Sequence, residues 1–290
     1  MPLTAFQHEV LAVLRPNRRP ESHLAGASAL HLDPESLRRS GDLDVFHDGV
    51  DAQRDAFVRD REALVASGFE VAVLKSFPGY TQAAITRDGH TTLVDWATDS
   101  DWRFLPVQTH PTAGYLLHPI DLAINKVLAL IGRDEPRDYV DALWADAVIL
   151  PLPALIWAAS GKDPGLSPSS ALSLLRRRGR PHPEEIARLD LTGPFDLEKA
   201  KTRWLSALDE TEVFIANAPR ETAGALFYDP RQEAFLLPSV PIESTIIVHH
   251  GARGGVVPVL TDGMLADTPQ IRDPDEQGPV MGYPRDLLED

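Results

Sequence analysis

Asp42 and Asp44 stand two residues apart in Ser40-Gly41-Asp42-Leu43-Asp44-Val45-Phe46. Leu43, Val45 and Phe46 give this stretch the bulk of a β-strand, and a period of two puts both carboxylates on one face. At ~4 Å and an effective dielectric of ~20, such a pair repels by about 4 kcal/mol. A chain keeps the pair where a cation sits between the acids or where one acid stays protonated. All-oxygen ligands suit a hard divalent ion, magnesium first and manganese second.

Just upstream lies Leu24-Ala25-Gly26-Ala27-Ser28-Ala29-Leu30-His31-Leu32. Gly26 removes a β-carbon where backbone must come close to a ligand. Ser28 offers a hydroxyl. A short helix starting at Ala27 would turn its free N–H groups toward an anion. Together these residues predict a phosphate cradle beside a metal-binding strand, against the plainer reading of a glycine turn and an exposed edge strand.

A third acid, Asp95, sits in Thr92-Leu93-Val94-Asp95-Trp96 and faces away from Val94. If this strand neighbours Asp42–Phe46, Asp95 completes a three-carboxylate site. Three such acids tolerate each other with divalent ions bound, and two metals ~4 Å apart suit displacement at phosphorus. Otherwise Asp95 is an ordinary solvent-facing acid. Asp99 and Asp101, in an expected loop, are weaker candidates. Lys126 and Arg133 share a helix face, and a lysine there can meet a triphosphate as a point charge.

The elements that must position these groups read as follows. Thr4 and Gln7 have capping-box spacing ahead of Phe6, Val10, Leu11 and Leu14, which predicts a helix ending before Pro16. A helix is expected over 51–67, stopped by Gly68. A strand is expected over 69–74, then a turn at Lys75-Ser76-Phe77-Pro78-Gly79. Strands over 81–87 and 91–96 are joined by Asp88-Gly89. His118-Pro119-Ile120-Asp121 opens a helix that buries Ile120, Ile124, Val127, Leu128 and Ile131 and closes at Gly132. Another helix starts at Pro136, with Asp134, Asp138 and Asp141 on a stripe that patterning alone reads as solvated. Helices follow from 150 to 159, 170 to 177, 183 to 189 and 196 to 218. The run Arg176-Arg177-Arg178-Gly179-Arg180 reads as a basic helix end or a phosphate contact.

Residues 221–262 change to β character. One hairpin is expected around Asp229-Pro230-Arg231-Gln232, and a second pairs Thr245–His250 with Val256–Leu260 around Gly251-Ala252-Arg253-Gly254-Gly255. His249 and His250 are adjacent on a strand, point to opposite faces, and chelate one ion poorly. From Asp262 to Asp290 the chain is rich in Asp and Pro and reads as extended or disordered.

The 43% hydrophobic content of the 290 residues is enough for a real core. Cysteine is absent, which removes disulfides, thiolate metal sites and cysteine nucleophiles. The net charge of −15 argues against broad nucleic-acid binding through counterion release, though a local basic patch remains compatible with it. No apolar run reaches membrane-spanning length, and the start of the chain lacks the pattern of a signal peptide, so a cytoplasmic location is expected.

Three passages resemble the AbiEii/AbiGii-type nucleotidyltransferase toxins, a branch of the polymerase-β-like superfamily. Leu24-Ala25-Gly26-Ala27-Ser28-Ala29-Leu30 is similar to the Gly-Gly-Thr/Ser-Ala-Leu signature, with Ala27 in place of the second glycine. Ser40-Gly41-Asp42-Leu43-Asp44-Val45-Phe46 matches the Asp-Leu-Asp motif. Asp121-Leu122-Ala123-Ile124-Asn125-Lys126, continuing into Arg133-Asp134-Glu135-Pro136-Arg137-Asp138-Tyr139-Val140-Asp141, is similar to the segment most specific to this branch.

The resemblance implies an α+β fold: a polymerase-β-like mixed sheet with flanking helices, a helical C-terminal part and a small β appendage. The expected domains are 1–115 (catalytic), 116–220 (helical, substrate-side) and 221–290 (β-hairpins and acidic tail). It implies magnesium or manganese on Asp42, Asp44 and Asp95. An NTP would bind at Gly26, Ala27, Ser28, Ser40, Lys126 and Arg133, with Asp138 a late acid, structural or active in proton transfer. An NMP would pass to an acceptor hydroxyl, tRNA being a known acceptor class, in a toxin–antitoxin or phage-defence pair with a cognate antitoxin. The acidic charge favours a rival acceptor, a small-molecule hydroxyl as in aminoglycoside-modifying relatives, or a protein hydroxyl. A non-catalytic nucleotide-binding module is the alternative of another class, and clustered acids speak against it.

Overall fold

The computed structural model describes residues 3–32 and 36–259. They form two compact units. The first takes Met1–Lys126, Glu184–Gly193 and Gly251–Val256; the second includes Val127–Pro183 and Pro194–His250. The expected tail over 262–290 lies outside the described residues.

The first unit opens with α1 (Ala5–Leu14), which buries Phe6, Val10, Leu11 and Leu14. Its capping box forms as expected: Gln7 N–H donates to Thr4 Oγ1 at 3.1 Å and Thr4 N–H to Gln7 Oε1 at 2.8 Å. The helix gives way to a 3-10 turn carrying Pro16. Then come β1 (Ser22–Ala25), α2 (Gly26–Leu30), β2 (Asp42–His47), α3 (Val50–Ala66), β3 (Glu70–Phe77), β4 (Tyr80–Arg87), β5 (His90–Thr98), β6 (Trp102–Arg103), β7 (Gln108–His110) and β8 (Gly114–Leu116). α4 (Pro119–Arg133) starts in this unit and ends in the other. The seven-stranded sheet runs β3-β4-β5-β2-β1-β8-β7 and is mixed, with β2/β5 and β1/β8 parallel and the other pairs antiparallel.

Alternation decides which face of this sheet is core. Leu43, Val45, Ala83, Ile85, Val94 and Trp96 are all fully buried on one face. α3 covers that face through Phe57, whose ring meets Trp96 edge-on at 5.1 Å, and through Asp60. Asp60 is a buried carboxylate that is fully partnered: it pairs with buried Arg18 and accepts from Asn17 Nδ2 at 2.9 Å and Trp96 Nε1 at 2.7 Å. The other face carries Asp42, Asp44, Tyr80, Gln82 and Asp95, all partly buried.

Two turns test the local expectations. Asp88-Gly89 joins β4 to β5 with φ of 52° and 79°, as a two-residue hairpin turn requires. The turn expected over 75–79 is shorter. β3 continues past a bulge at Val73/Lys75, pairs Lys75, Ser76 and Phe77 with Gln82, Thr81 and Tyr80, and turns at Pro78-Gly79. Cross-strand pairing extends the strand beyond its apolar run.

The second unit is mainly helical: α5 (Pro136–Val148), α6 (Leu152–Lys162), α7 (Pro168–Arg177) and α9 (Leu197–Asn217), while the four-residue α8 (Pro183–Ile186) precedes α9 in the chain. β9 (Leu226–Asp229), β10 (Ala234–Phe235) and β11 (Ile247–His249) make a three-stranded sheet in the order β10-β9-β11. Phe227 joins Trp157 and Phe214 in one core cluster. The first expected hairpin is present, as β9 and β10. The second is not: Ile247–His249 pairs with β9, and β12 (Ala252–Arg253) pairs with β6 in the first unit. Gly254 and Gly255, at φ of 74° and 78°, follow β12, and the chain stays beside β6, with Gly254 N–H donating to Asp101 O at 2.7 Å and Val256 N–H to Phe104 O at 3.2 Å. Among the described residues no single helix is long and apolar enough to cross a membrane.

Candidate active site

Parallel pairing of β2 with β5 sets Asp44 directly beside Asp95, with Asp42 two residues earlier on the same face. One carboxylate oxygen from each acid lies within 4.8 Å of the others. Among the described residues this is the one group with metal-holding geometry, and the His249/His250 pair forms no part of it. The register extends the row across the sheet: Ala25 on β1, Asp44, Asp95, Gln82 on β4 and Lys75 on β3.

The glycine turn serves this row in a way the sequence did not suggest. Gly26 has φ of 61°, and a β-carbon there would stand 2.0 Å from Asp44 Oδ2. The space left by the missing side chain is filled by a carboxylate, so the residue is glycine to admit Asp44. Ala27 N–H hydrogen-bonds the same side chain. Ser28 is fully buried; its hydroxyl donates to Ala25 O at 3.1 Å and accepts from Asp44 N–H at 3.0 Å. The hydroxyl expected to face a phosphate is a staple between α2 and β2. Ser40, also buried, reaches Asp42 O at 2.9 Å and Asp42 Oδ1 at 3.1 Å, orienting the first acid.

Crowding shows in proton affinity. Burial, with the Asp42 charge added, pushes Asp44 up to about 7, against the opposing pull of Lys126 and the Ala27 N–H. Burial also raises Asp95, while hydrogen bonds from Gln82 and Tyr80 work the other way. The Gln82 bond is 2.8 Å. Tyr80 is itself pushed up to about 12, by burial and then by Asp95. Three clustered oxygen donors, one of them holding a proton near neutrality, fit a hard divalent cation that would displace that proton.

Lys126 is 6% exposed and acts electrostatically on Asp44. The start of its helix is tied down by Asp121, a buried acid whose two oxygens accept from Phe104 N–H and Leu105 N–H, each at 3.0 Å. Arg133 and Asp138 belong to the second unit and grip each other through two contacts of 2.5 and 2.8 Å. Asp138 and Asp141 are fully buried, contrary to the solvated stripe expected, and Asp134 accepts from Gly179 N–H at 3.0 Å. Asp99 is exposed beyond the end of β5. The sequence reading missed Tyr80, Gln82 and Lys75; the signal was the alternation through 80–87 that sets Gln82 opposite Asp95.

No protein-family model matches the chain, and neither does any curated protein. Solved structures do. JHP933 from Helicobacter pylori is similar at 16% identity and a TM-score of 0.47, over 74% of this chain and 95% of that one. MenT4, a nucleotidyltransferase toxin from Mycobacterium tuberculosis H37Rv, is similar at 16% identity and a TM-score of 0.46, over 74% of this chain and 83% of that one. Cid1, an RNA terminal uridylyl transferase, is similar at 16% identity and a TM-score of 0.26, over 53% of this chain and 44% of that one. Likenesses this distant leave the chemistry to be argued from the site.

Proposed function

We propose that this chain is a divalent-metal-dependent nucleotidyltransferase that moves an NMP from an NTP to an acceptor hydroxyl. The carrying observation is the Asp42, Asp44 and Asp95 cluster on one sheet face, beside the Gly26 turn and within the field of Lys126. A binding module has no use for acids this close, because each adds to the cost of ionising the next.

The acceptor oxygen attacks the α-phosphorus, the bond from that phosphorus to the bridging oxygen of the β-phosphate breaks, and pyrophosphate leaves. Asp42, Asp44 and Asp95 would hold a magnesium ion, which would supply charge neutralisation and a more acidic acceptor hydroxyl. Asp95 takes up the hydroxyl proton. Lys126 offsets negative charge on the phosphates as it shifts to the leaving group. Gly26, Ser28 and Ser40 fix where the carboxylates stand, and Asp138, locked to Arg133, is structural.

The finer reading, resting on the resemblance of 121–141 to the toxin branch, is a tRNA acceptor and a toxin paired with a cognate antitoxin. The net charge of −15 favours the second reading, a small or cationic acceptor such as an aminosugar. The test is incubation with each labelled NTP, magnesium and total tRNA, then with small alcohols. Label entering RNA with wild type and not with Asp44→Ala selects the first reading. Label entering the small alcohol selects the second. No pyrophosphate release with any acceptor refutes transferase activity.

A further inference from the structure

We infer that the tip of the β3–β4 hairpin is the acceptor's docking platform: a planar ring of the acceptor stacks on Phe77, and Lys75 meets the phosphate next to it. The inference rests on the transferase reading for direction and on the sheet for geometry. It commits to one acceptor class, the end of a single-stranded nucleic acid.

Phe77 and Tyr80 face each other across the Pro78-Gly79 turn. Their rings are stacked, with centroids 5.1 Å apart and planes at 26°. Tyr80 backs Phe77 on one side, yet Phe77 stays 59% exposed. An exposed phenylalanine on an edge strand is a liability for a soluble sheet, which ordinarily guards such edges with charge. Here the ring is on the same sheet face as the three acids. Tyr80 ties it to them directly, through the hydrogen bond its hydroxyl gives Asp95. Ala97, the register partner of Tyr80, leaves the adjoining strand surface low.

Position along the row assigns the occupant. The Gly26–Ser28 turn adjoins Asp44 on the β1 side of the acids, and the hairpin adjoins Asp95 on the β4 side. In a displacement at phosphorus the attacking and leaving oxygens lie roughly in line. Lys126, whose charge acts on Asp44, draws the triphosphate tail to that side of the acids, which leaves the hairpin side to the acceptor. Exposed Lys75 shares the row with Gln82 and Asp95, and its charge acts on Asp95. A stacking ring beside a lysine matches a base and its phosphate, since stacking accepts any base and the cation tracks the backbone. It does not match a cationic aminosugar, which offers no planar ring and which Lys75 repels.

The test uses a fluorescein-labelled single-stranded hexaribonucleotide and the full chain, with no NTP, so that it is independent of catalysis. Phe77→Ala is expected to weaken binding about tenfold to a hundredfold, and Phe77→Trp to restore it. Lys75→Gln is expected to lower the slope of log affinity against log salt by about 0.7. Unchanged magnesium–NTP binding by Phe77→Ala shows that the site remains folded. Equal RNA binding by wild type and Phe77→Ala overturns the inference. So does no RNA binding by wild type, or a self-association that Phe77→Ala dissolves while leaving RNA affinity unchanged. Pyrophosphate release by wild type is scored separately. Its absence alongside Phe77-dependent RNA binding sinks the transferase reading and leaves the platform standing.

Discussion

Replacing Asp44 by Asn removes a partly buried acid whose folded proton affinity stands at about 7 against an ordinary value of 3.8. The folded protein therefore prefers the protonated form far more than the unfolded chain does. Its stabilisation is fully present below pH ~4, falls as pH rises, and is gone above ~7, for a total near 4 kcal/mol at ~1.4 kcal/mol per pH unit. Between pH 5 and pH 7 the loss is roughly 2 kcal/mol. Asn does not titrate, so in magnesium-free buffer the Asp44→Asn protein is expected to gain roughly 2 kcal/mol on wild type over that interval, with the difference levelling off above ~7. The assay is urea unfolding of both proteins at half-unit steps from pH 5 to pH 8, followed by Trp fluorescence, with EDTA present. A second arm adds magnesium: at a hundred times its Kd, wild type should gain about 2.7 kcal/mol, and Asp44→Asn far less. Parallel stability curves for the two proteins across the pH range would refute the claim that the acids are crowded and desolvated. Equal stabilisation of both by magnesium would refute the claim that Asp44 is a ligand.

Three further outcomes follow from the same geometry. Gly26→Ala places a β-carbon 2.0 Å from Asp44 Oδ2 at a backbone angle that disfavours alanine; transfer should fall at least a hundredfold and unfolding should show a loss of about 1–3 kcal/mol from backbone strain alone. Ser28→Ala leaves Asp44 N–H without its acceptor, at a cost of about 1–3 kcal/mol. In steady-state kinetics it should lower kcat with little change in KM for NTP, and a raised KM with unchanged kcat would return Ser28 to a phosphate contact. Asp121→Ala orphans the Phe104 and Leu105 N–H groups, each worth about 1–3 kcal/mol. Transfer should fall along with a lowered Tm, and the deficit should exceed that of Asp121→Asn, which keeps one acceptor.

How much of this site the sequence carried depends on how local each piece is. That Asp42 and Asp44 share a face follows from strand alternation alone, and the strand is where the alternation put it. That Asp95 joins them does not follow, because α3 and the β3–β4 hairpin intervene between β2 and β5 and no local pattern states that the two strands lie side by side. The meaning of Gly26 was legible as a need for space, but the group filling that space comes from a residue far along the chain and across a strand. The same limit explains the errors. Periodicity marks Asp138 and Asp141 as one stripe and cannot say whether water or protein covers it; they are buried. The glycines after His250 signal a turn, and a turn predicts a hairpin when the flanking strands have no better partners. Here the first flank pairs with β9 through Ile247–His249, Ala252–Arg253 of the expected turn itself becomes a strand on β6, and the second flank is in no strand over its described residues 256–259, so the local signal is overruled by distant pairing. Lys75 illustrates both halves of the point. The apolar run ends at Leu74, which argued for a turn, yet Gln82 across the ladder keeps Lys75 in the strand and so in the row of the acids. The chemistry of this chain is written in side-chain types that can be read directly, and its geometry in strand neighbours that cannot.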